Sequence, residues 1–353
     1  MKFAGNGLIA FIIGLGLVLA PHATWAEKSL TIKMASWDPP LILDMEKTNG
    51  NFGSTNIKAQ MFKKVIEKSS RGRIKVTILP NGQIGGDKEA FEMMQAGALD
   101  MSAYPGSIVA NFVPECYAYQ IPFLFKNHTV ANQVMDGPFG EELKDLVLKK
   151  TGVRVLRWGT ETFMDYMTSG TEVKVPGDMK GKKIRTIAQP NYIEMTKIAG
   201  ASPTPIPFAE LYTSLQQGVV DGTLTPMAVV EMFKLEQGLK YICQTDVSYL
   251  IGVVAASEIF WKKLSDEDKK LVVDAAYQAS EFHRAMLLYG SHMFGDSLAK
   301  KGVTIYTPSL EEREQWKKTL HAPMVDWTRK QIGDEWVDKI IKAVADVENR
   351  LYR

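Results

Sequence analysis

The chain of 353 residues is poor in the side chains that bind transition metals or perform covalent catalysis. It contains two cysteines and five histidines, and it has no HExxH, CxxC or Gly-x-Ser-x-Gly pattern. A zinc site needs a cluster of such ligands, and a hydrolase needs a nucleophile beside a base. We therefore expect no metal, no cofactor and no catalytic residue. Cys116 and Cys243 are expected to be buried free thiols, although an oxidising compartment would also allow them to pair.

Charge of one sign is not concentrated in any stretch. The 42 basic and 40 acidic residues are mixed along the chain, and the formal net charge is +2. Proteins that bind nucleic acid neutralise phosphates with clustered lysine and arginine. The even distribution therefore argues against a nucleic acid partner.

Long hydrophobic runs are limited to the N-terminus. Lys2 precedes an apolar run of 14 residues at positions 7–20, Pro21 ends it, and small residues occupy positions 24 and 26. This pattern is typical of a secretory signal peptide, here covering residues 1–26. The run is shorter than the ~20 residues that a membrane-spanning helix needs. We expect a soluble mature protein that is exported to the periplasm.

Hydrophobic periodicity predicts a parallel α/β layer in the first part of the mature chain. Apolar and polar residues alternate in three segments that we interpret as strands, at 30–35, 73–79 and 98–104. Amphipathic helices are predicted between them at 56–69 and 87–95. Because no two-residue hairpin turn joins these strands, the pattern favours parallel pairing.

The same pattern restarts further along the chain. A helix is predicted at 130–149, and a strand at 153–158 is interpreted as a crossing into a second unit. Strands and helices are then predicted in turn at 183–186, 191–198, 203–207, 209–217, 219–223 and 227–239. An apolar strand at 250–256 is interpreted as the second crossing.

A long helix is predicted after the second crossing. Ser265 and the acidic residues after it form an N-cap signal, and Gly302 is a C-cap signal. The helix would contain about 36 residues and extend ~54 Å at 1.5 Å per residue. Since that exceeds the diameter of one unit, we expect the helix to lie across both. Two closing helices are predicted at 311–331 and 335–352.

The stretch from residue 180 to residue 226 carries a family resemblance. It contains GKKIRT and then ASPTPIPFAELYTSLQQGVVDG, followed by a threonine–proline turn. Supporting segments are ILPNGQIGGDKEAFEMMQAGALDM, YQIPFLF and SEIFWKKLSDEDK. Over nearly the whole mature chain, the sequence resembles the substrate-binding subunits of TRAP (tripartite ATP-independent periplasmic) transporters.

The resemblance implies an α/β fold of the type II periplasmic-binding-protein kind. Two α/β lobes would enclose a ligand cleft, with hinge strands between them and a long helix spanning both. Lobe I would comprise residues 27–156 and 250–288, and lobe II residues 157–249 and 289–353, with the C-terminal helices packing across the lobes. The implied function is the capture of a small organic anion and its delivery to the integral membrane subunits of a TRAP-type transporter. We expect a monomer.

Residue by residue, the resemblance places the family's carboxylate-binding arginine at Arg185 and an aromatic that covers the ligand at Phe208. A guanidinium at a strand end offers two parallel donors that match a carboxylate. A structural ion pair is the alternative for Arg185, and ordinary core packing is the alternative for Phe208.

Two positions depart from the family pattern. Thr225 stands where the family usually has an asparagine, so a hydroxyl replaces an amide. A second arginine, common in the family, would fall at Met164 or Asp165 and is absent. With Glu161 and Asp165 nearby, this departure favours a monoanion, or an anion that carries hydroxyl or ammonium groups. Alternatively, both carboxylates point to solvent.

Four further candidates lie at predicted strand ends or helix starts. Trp37, Asp87 and Tyr104 are expected at the cleft, because ligands of open α/β sheets bind beyond the carboxyl ends of the strands. Trp158 ends the first crossing strand, and its ring or that of Trp37 could stack on the apolar body of a ligand. Core packing is an equal alternative for both tryptophans.

Two other functions stay open on the sequence alone. A periplasmic hydrolase or lyase on the same fold would need a nucleophile–base pair or a metal, and the cleft segments contain neither pattern. A signalling receptor would share the capture of the anion and differ in its partner. The sequence identifies neither the ligand nor whether its acid group is a carboxylate or a sulfonate.

Overall fold

A computed structural model describes residues 29–36, 38, 55–80 and 82–353. The predicted signal peptide at residues 1–26 and the cleft candidate Trp37 lie outside these residues. Within them, no helix has the length and apolar composition needed to cross a membrane. Cys116 and Cys243 are both buried and unpaired, which is the arrangement that we expected.

The strands of the described residues form one mixed sheet. They are β1 (Leu30–Ser36), β2 (Ile74–Leu79), β3 (Met101–Pro105), β4 (Val153–Thr168), β5 (Lys183–Thr186), β6 (Ser202–Pro205), β7 (Gly222–Thr225), β8 (Tyr241–Ser257) and β9 (Thr304–Tyr306). Their order across the sheet is β2-β1-β3-β8-β4-β7-β5-β6, and β9 pairs with β8.

Helices cover both faces of this sheet. They are α1 (Thr55–Ser69), α2 (Asp87–Gln95), α3 (His128–Met135), α4 (Pro138–Thr151), α5 (Pro190–Ile198), α6 (Leu211–Gln216), α7 (Met227–Met232), α8 (Glu258–Trp261), α9 (Asp266–Lys300), α10 (Leu310–Ile332) and α11 (Asp334–Tyr352). Short 3-10 turns lie at Gly106–Asn111, Pro114–Gln120 and Phe208–Glu210, among others.

Two long strands join two parallel sets of strands. β1 pairs in parallel with β2 and β3, and β5 pairs in parallel with β6 and β7. β4 and β8 lie antiparallel to each other between the two sets, and register shifts interrupt their pairing at three places. The result is two α/β lobes connected by crossing strands, as the sequence predicted. The residue boundaries given above for the lobes stay a prediction.

The long helix α9 packs on both lobes. In lobe I, Val272 and Ala276 pack in a buried cluster with Phe62 of α1. In lobe II, Leu298 packs in another buried cluster with Leu211 of α6. The hydroxyl of Ser265 accepts a hydrogen bond from the backbone N–H of Asp268 at 3.1 Å, so the predicted N-cap is confirmed.

Some predicted bounds differ from the structure. The helix predicted at 130–149 is two helices, α3 and α4, because the chain breaks at Gly137 and Pro138. Proline has no N–H for the preceding turn and clashes with its carbonyl, so it begins a helix here. The crossing strands are also longer than predicted. Polar residues such as Glu161 and Asp165 interrupt the apolar pattern on which their prediction relied.

Candidate ligand-binding cleft

The carboxyl ends of both parallel strand sets face one gap. Pro105, the last residue of β3, pairs with Gly252 of β8, which pairs with Gly159 of β4. Thr225, the last residue of β7, pairs with Asp165 of β4. Because β3 runs along β4 in the same direction and β7 runs against it, the two strand ends point towards each other. Residues 159–165 of β4 lie between them, a span of at most about 20 Å at ~3.3 Å per residue.

Arg185 lies on β5 at this gap and is almost fully buried, with 4% of its surface exposed. Its Nε donates to the carbonyl of Ile206 at 3.0 Å, and its guanidinium carbon lies 5.6 Å from the ring centroid of Phe208. Burial lowers the pKa of Arg185 to about 10, so the side chain stays charged at neutral pH. Within the described residues, no carboxylate lies within ion-pair distance of it.

A buried cation without a counter-ion points to an anion-binding role. Removing a charge from water costs several kcal/mol unless an opposite charge or hydrogen bonds offset it. Among the described residues, Arg185 has one side-chain hydrogen bond, from Nε. The structural ion pair that we kept as the alternative is therefore not formed in the described part of the chain. The remaining N–H groups of the guanidinium can donate two parallel hydrogen bonds to a carboxylate.

Phe208 lies beside Arg185 in the short turn at Phe208–Glu210. It is partly buried and meets the ring of Phe233 edge to face, with centroids 4.7 Å apart. Pro205 and Pro207 precede it and restrict the backbone of the approach. Phe208 therefore contributes to the lobe II core and also to the surroundings of the guanidinium.

Thr225 and Asp165 lie opposite each other at the lobe II edge of the gap. Both are buried, with 4% and 2% of their surfaces exposed. Asp165 accepts a hydrogen bond from the backbone N–H of Asp246 at 2.9 Å. Burial and the charge of Asp246 raise the pKa of Asp165 well above its usual range. The alternative in which Asp165 points to solvent does not hold, and its carboxylate binds the backbone of the second crossing strand.

Glu161 forms a buried ion pair with Lys58 of α1. Glu161 is 6% exposed and Lys58 has no exposed surface, so Glu161 does not point to solvent either. Burial raises the pKa of Glu161, and the neighbouring Lys58 opposes that rise. Sequence reasoning missed Lys58. A signal was present, because Lys58 is aligned with the buried Phe62 and Ile66 on the apolar stripe of α1, where a lysine needs a partner.

Asp87 and Tyr104 lie near this pair in lobe I. Burial, together with the charges of Asp38, Glu89 and Glu161, raises the pKa of Asp87 to about 8. The side chain of Tyr104 is 1% exposed, and its hydroxyl has no hydrogen-bond partner among the described residues. Burial first, and then the charge of Asp87, raises the pKa of Tyr104. Both candidates therefore lie close enough to share an electrostatic environment.

Trp158 is a core residue in this structure. Its ring is fully buried, packs against Tyr119 and donates its N–H to the carbonyl of Gly140 at 2.8 Å. This placement corresponds to the core alternative given for it above. The described residues also contain no group of three histidine, cysteine or acidic side chains arranged to hold a metal.

The fold and the cleft define a class of protein. Two α/β lobes joined by crossing strands are the architecture of a type II periplasmic solute-binding protein. The sequence model of the bacterial extracellular solute-binding proteins, family 7, matches residues 51–330 of this chain. The chain belongs to this family, whose members include the TRAP substrate-binding subunits.

Individual relatives agree with this assignment. A solute-binding protein of Verminephrobacter eiseniae is 34% identical over 244 residues, which cover 69% of this chain and 72% of that protein. The sugar acid binding protein DctPAm of Advenella mimigardefordensis, solved in complex with galactonate, superposes with a TM-score of 0.83. It is 26% identical, and the match covers 91% of this chain and 99% of that one.

A third relative was solved with a different kind of acid. A TRAP periplasmic solute-binding protein of Sulfurospirillum deleyianum with bound succinate has a TM-score of 0.78 at 26% identity. The match covers 88% of this chain and 98% of that one. Proteins of this family are periplasmic transport proteins that bind small organic acids and work with TRAP membrane components, so the chain is not an enzyme.

Proposed function

We propose that this protein captures a small organic monoanion through Arg185 and delivers it to the membrane subunits of a TRAP-type transporter. The observation that carries the proposal is the buried guanidinium of Arg185, which has no carboxylate partner in the described part of the chain. The carboxylate of a ligand supplies the missing counter-ion. Phe208 and Thr225 border the same end of the cleft, and the protein acts as a monomer exported by its signal peptide.

Charge in the rest of the cleft favours a monoanion over a dicarboxylate. Lys58, which could have received a second carboxylate, is already paired with Glu161. Asp38 lies near the same pair, so its negative charge would repel a second negative charge on the ligand there. The likeness to the galactonate-binding DctPAm supports a sugar acid, which has one carboxylate and several hydroxyls. The likeness to the succinate-bound protein makes dicarboxylates the competing class.

The proposal also includes closure of the two lobes around the ligand. Closure removes water from the ion pair, which strengthens it, and gives the transporter a closed form to recognise. Tyr104 of lobe I and Arg185 of lobe II lie on strands whose ends face each other, and Asp87 begins α2 near Tyr104, so a ligand between them would contact both lobes. A signalling receptor would use the same capture step, and only its partner would differ.

Calorimetric titration with galactonate and succinate tests the proposal. We expect galactonate to bind the wild-type protein and Arg185→Ala to weaken binding roughly 100-fold or more, because removing one partner of a buried charge pair costs about 2–5 kcal/mol. Arg154 provides the control, since it pairs with Glu258 at 2.8 Å at the far end of β4. Arg154→Ala should bind like the wild type. Unchanged affinity in the folded Arg185→Ala variant, or binding of succinate alone, would contradict the proposal.

A further inference from the structure

We infer that Lys58 and Glu161 together form a charge-neutral subsite that binds hydroxyl groups of the ligand and thereby selects hydroxylated acids. The inference rests on the proposed function, because it concerns the part of the ligand that lies away from Arg185. It assigns a role to Lys58, which no motif of the sequence suggested.

The position of the pair places it in the cleft. Glu161 lies on β4 between Gly159, which is level with the end of β3, and Asp165, which is level with the end of β7. It is therefore in the segment of β4 that crosses the gap between the lobes. Lys58 reaches it from the first helical turn of α1, which follows the carboxyl end of β1.

The pair and Arg185 are on the same face of the sheet. In lobe I, α1 packs with α9 on one face, together with Leu156 of β4. In lobe II, α9 continues on that face, where Leu298 packs with Ile206, the residue whose carbonyl accepts from Arg185. Because one helix covers this face in both lobes, a ligand bound to Arg185 extends along the face that carries Lys58 and Glu161.

A glycine makes room for the pair. A Cβ atom on Gly252 would lie 2.1 Å from Oε1 of Glu161 and 2.6 Å from Nζ of Lys58, closer than real Cβ contacts. Gly159 is directly across from it on β4, and a Cβ there would lie 3.5 Å from Nζ of Lys58, an ordinary contact. The ion pair thus packs directly against the backbone of the second crossing strand.

The pair keeps hydrogen-bonding capacity for a ligand. A lysine ammonium has three donors and a carboxylate has about four acceptor positions. Within the described residues, the ammonium of Lys58 and the carboxylate of Glu161 bond only to each other. The buried hydroxyl of Tyr104 has no partner among the described residues. It lies near Asp87, which in turn lies near Glu161. Adjacent donors and acceptors without net charge suit neighbouring hydroxyl groups and provide no net positive charge for a second carboxylate.

The test compares galactonate with hexanoate, which has the same number of carbons and no hydroxyls. The double variant Lys58→Met, Glu161→Leu replaces the pair with apolar side chains and avoids leaving one buried charge alone. We expect the wild type to prefer galactonate by roughly 100-fold or more and the double variant to lose most of this preference, through weaker galactonate binding. Arg185→Ala should weaken both acids.

Two further variants keep all charges and change only the glycines next to the ion pair. Gly252→Ala should displace Glu161 and lower galactonate affinity about tenfold, whereas Gly159→Ala should leave it within about twofold. Circular dichroism and thermal melting verify that each variant is folded. The preference for galactonate persisting in the folded double variant would overturn the inference while leaving the proposed function standing. If the wild type binds no hydroxylated monoanion, the proposed function fails and the inference fails with it.

Discussion

Each end of the cleft buries one positively charged side chain, and the two differ in whether the protein provides a negative partner. In lobe II, Arg185 is a buried cation with no carboxylate beside it in the described part of the chain. At the lobe I end of the cleft, Lys58 is also a buried cation, but it forms an ion pair with Glu161 of β4. Burying either charge costs free energy. The protein offsets this cost at Lys58 through Glu161, and we propose that the ligand offsets it at Arg185. Because a cation can be paired within the protein, the number of cations in a cleft does not by itself give the charge of the ligand.

The comparison predicts that removing the carboxylate of Glu161 destabilises the protein, whereas adding a carboxylate ligand beside Arg185 stabilises it. The ion pair of Lys58 and Glu161 should matter for the stability of the ligand-free protein. Arg185 should matter for stability only when a ligand is present. Three measurements separate the two ends, from the largest expected effect to the smallest.

Breaking the ion pair of Lys58 and Glu161 should give the largest effect. Glu161→Ala leaves the charge of Lys58 buried without a partner, so we expect the free energy of unfolding of the ligand-free protein to fall by about 3–5 kcal/mol. Denaturant titration measures it. Glu258→Ala is the control, because Glu258 pairs with Arg154 nearer the surface and its loss should cost about 1 kcal/mol or less. Equal losses in the two variants would mean that Lys58 tolerates burial alone.

Adding the missing anion at the lobe II end should give the next largest effect. At a ligand concentration 100 times Kd, galactonate should stabilise the wild type by about 2.7 kcal/mol through mass action. Arg185→Met should lose this gain, yet melt in the absence of ligand at or above the temperature of the wild type, because it removes an uncompensated buried charge. Thermal melting with and without galactonate measures both. A ligand-free variant that melts well below the wild type would show that Arg185 supports the fold itself.

Sequence reasoning predicted most of the fold because its signals are local. The alternation in β1 and β2, the capping residue of α9 and the apolar stripe of α1 each depend on neighbouring residues in the chain. The break between α3 and α4 also has a local cause at Pro138, although the apolar pattern concealed it.

The cleft was predictable only in part. Arg185 was predicted from a family motif, and its role in binding stays a prediction, whereas the pair of Lys58 and Glu161 joins residues 103 positions apart in the chain. Which carboxylate a buried lysine meets is decided by strand order and by the register of β4 against β8. No spacing rule along the sequence contains that information. The same holds for Gly252, whose need for a small side chain comes from an ion pair contributed by two other elements.

The smallest expected effect concerns Asp87 at the lobe I end. Its pKa of about 8 in the folded protein exceeds the usual value of 3.8, because of burial and the charges of Asp38, Glu89 and Glu161. Between about pH 4 and pH 8, the folded state therefore holds a proton that the unfolded state has lost. Stability contributed by this group is complete below about pH 4 and declines as the pH rises towards 8.

Asp87→Asn should remove this decline, since an amide does not titrate. The melting temperature of the variant relative to the wild type should therefore rise by a few degrees from pH 5 to pH 6, because one pH unit between the two pKa values changes the free energy of unfolding by about 1.4 kcal/mol and each kcal/mol shifts the melting temperature by about 2–4 °C. Asp296→Asn, at an exposed position on α9, is the matched control and should show a constant difference. A constant difference for Asp87→Asn as well would mean that Asp87 is ionised throughout this range. The lobe I end would then carry one more negative charge at neutral pH, which would strengthen its selection against a second carboxylate on the ligand.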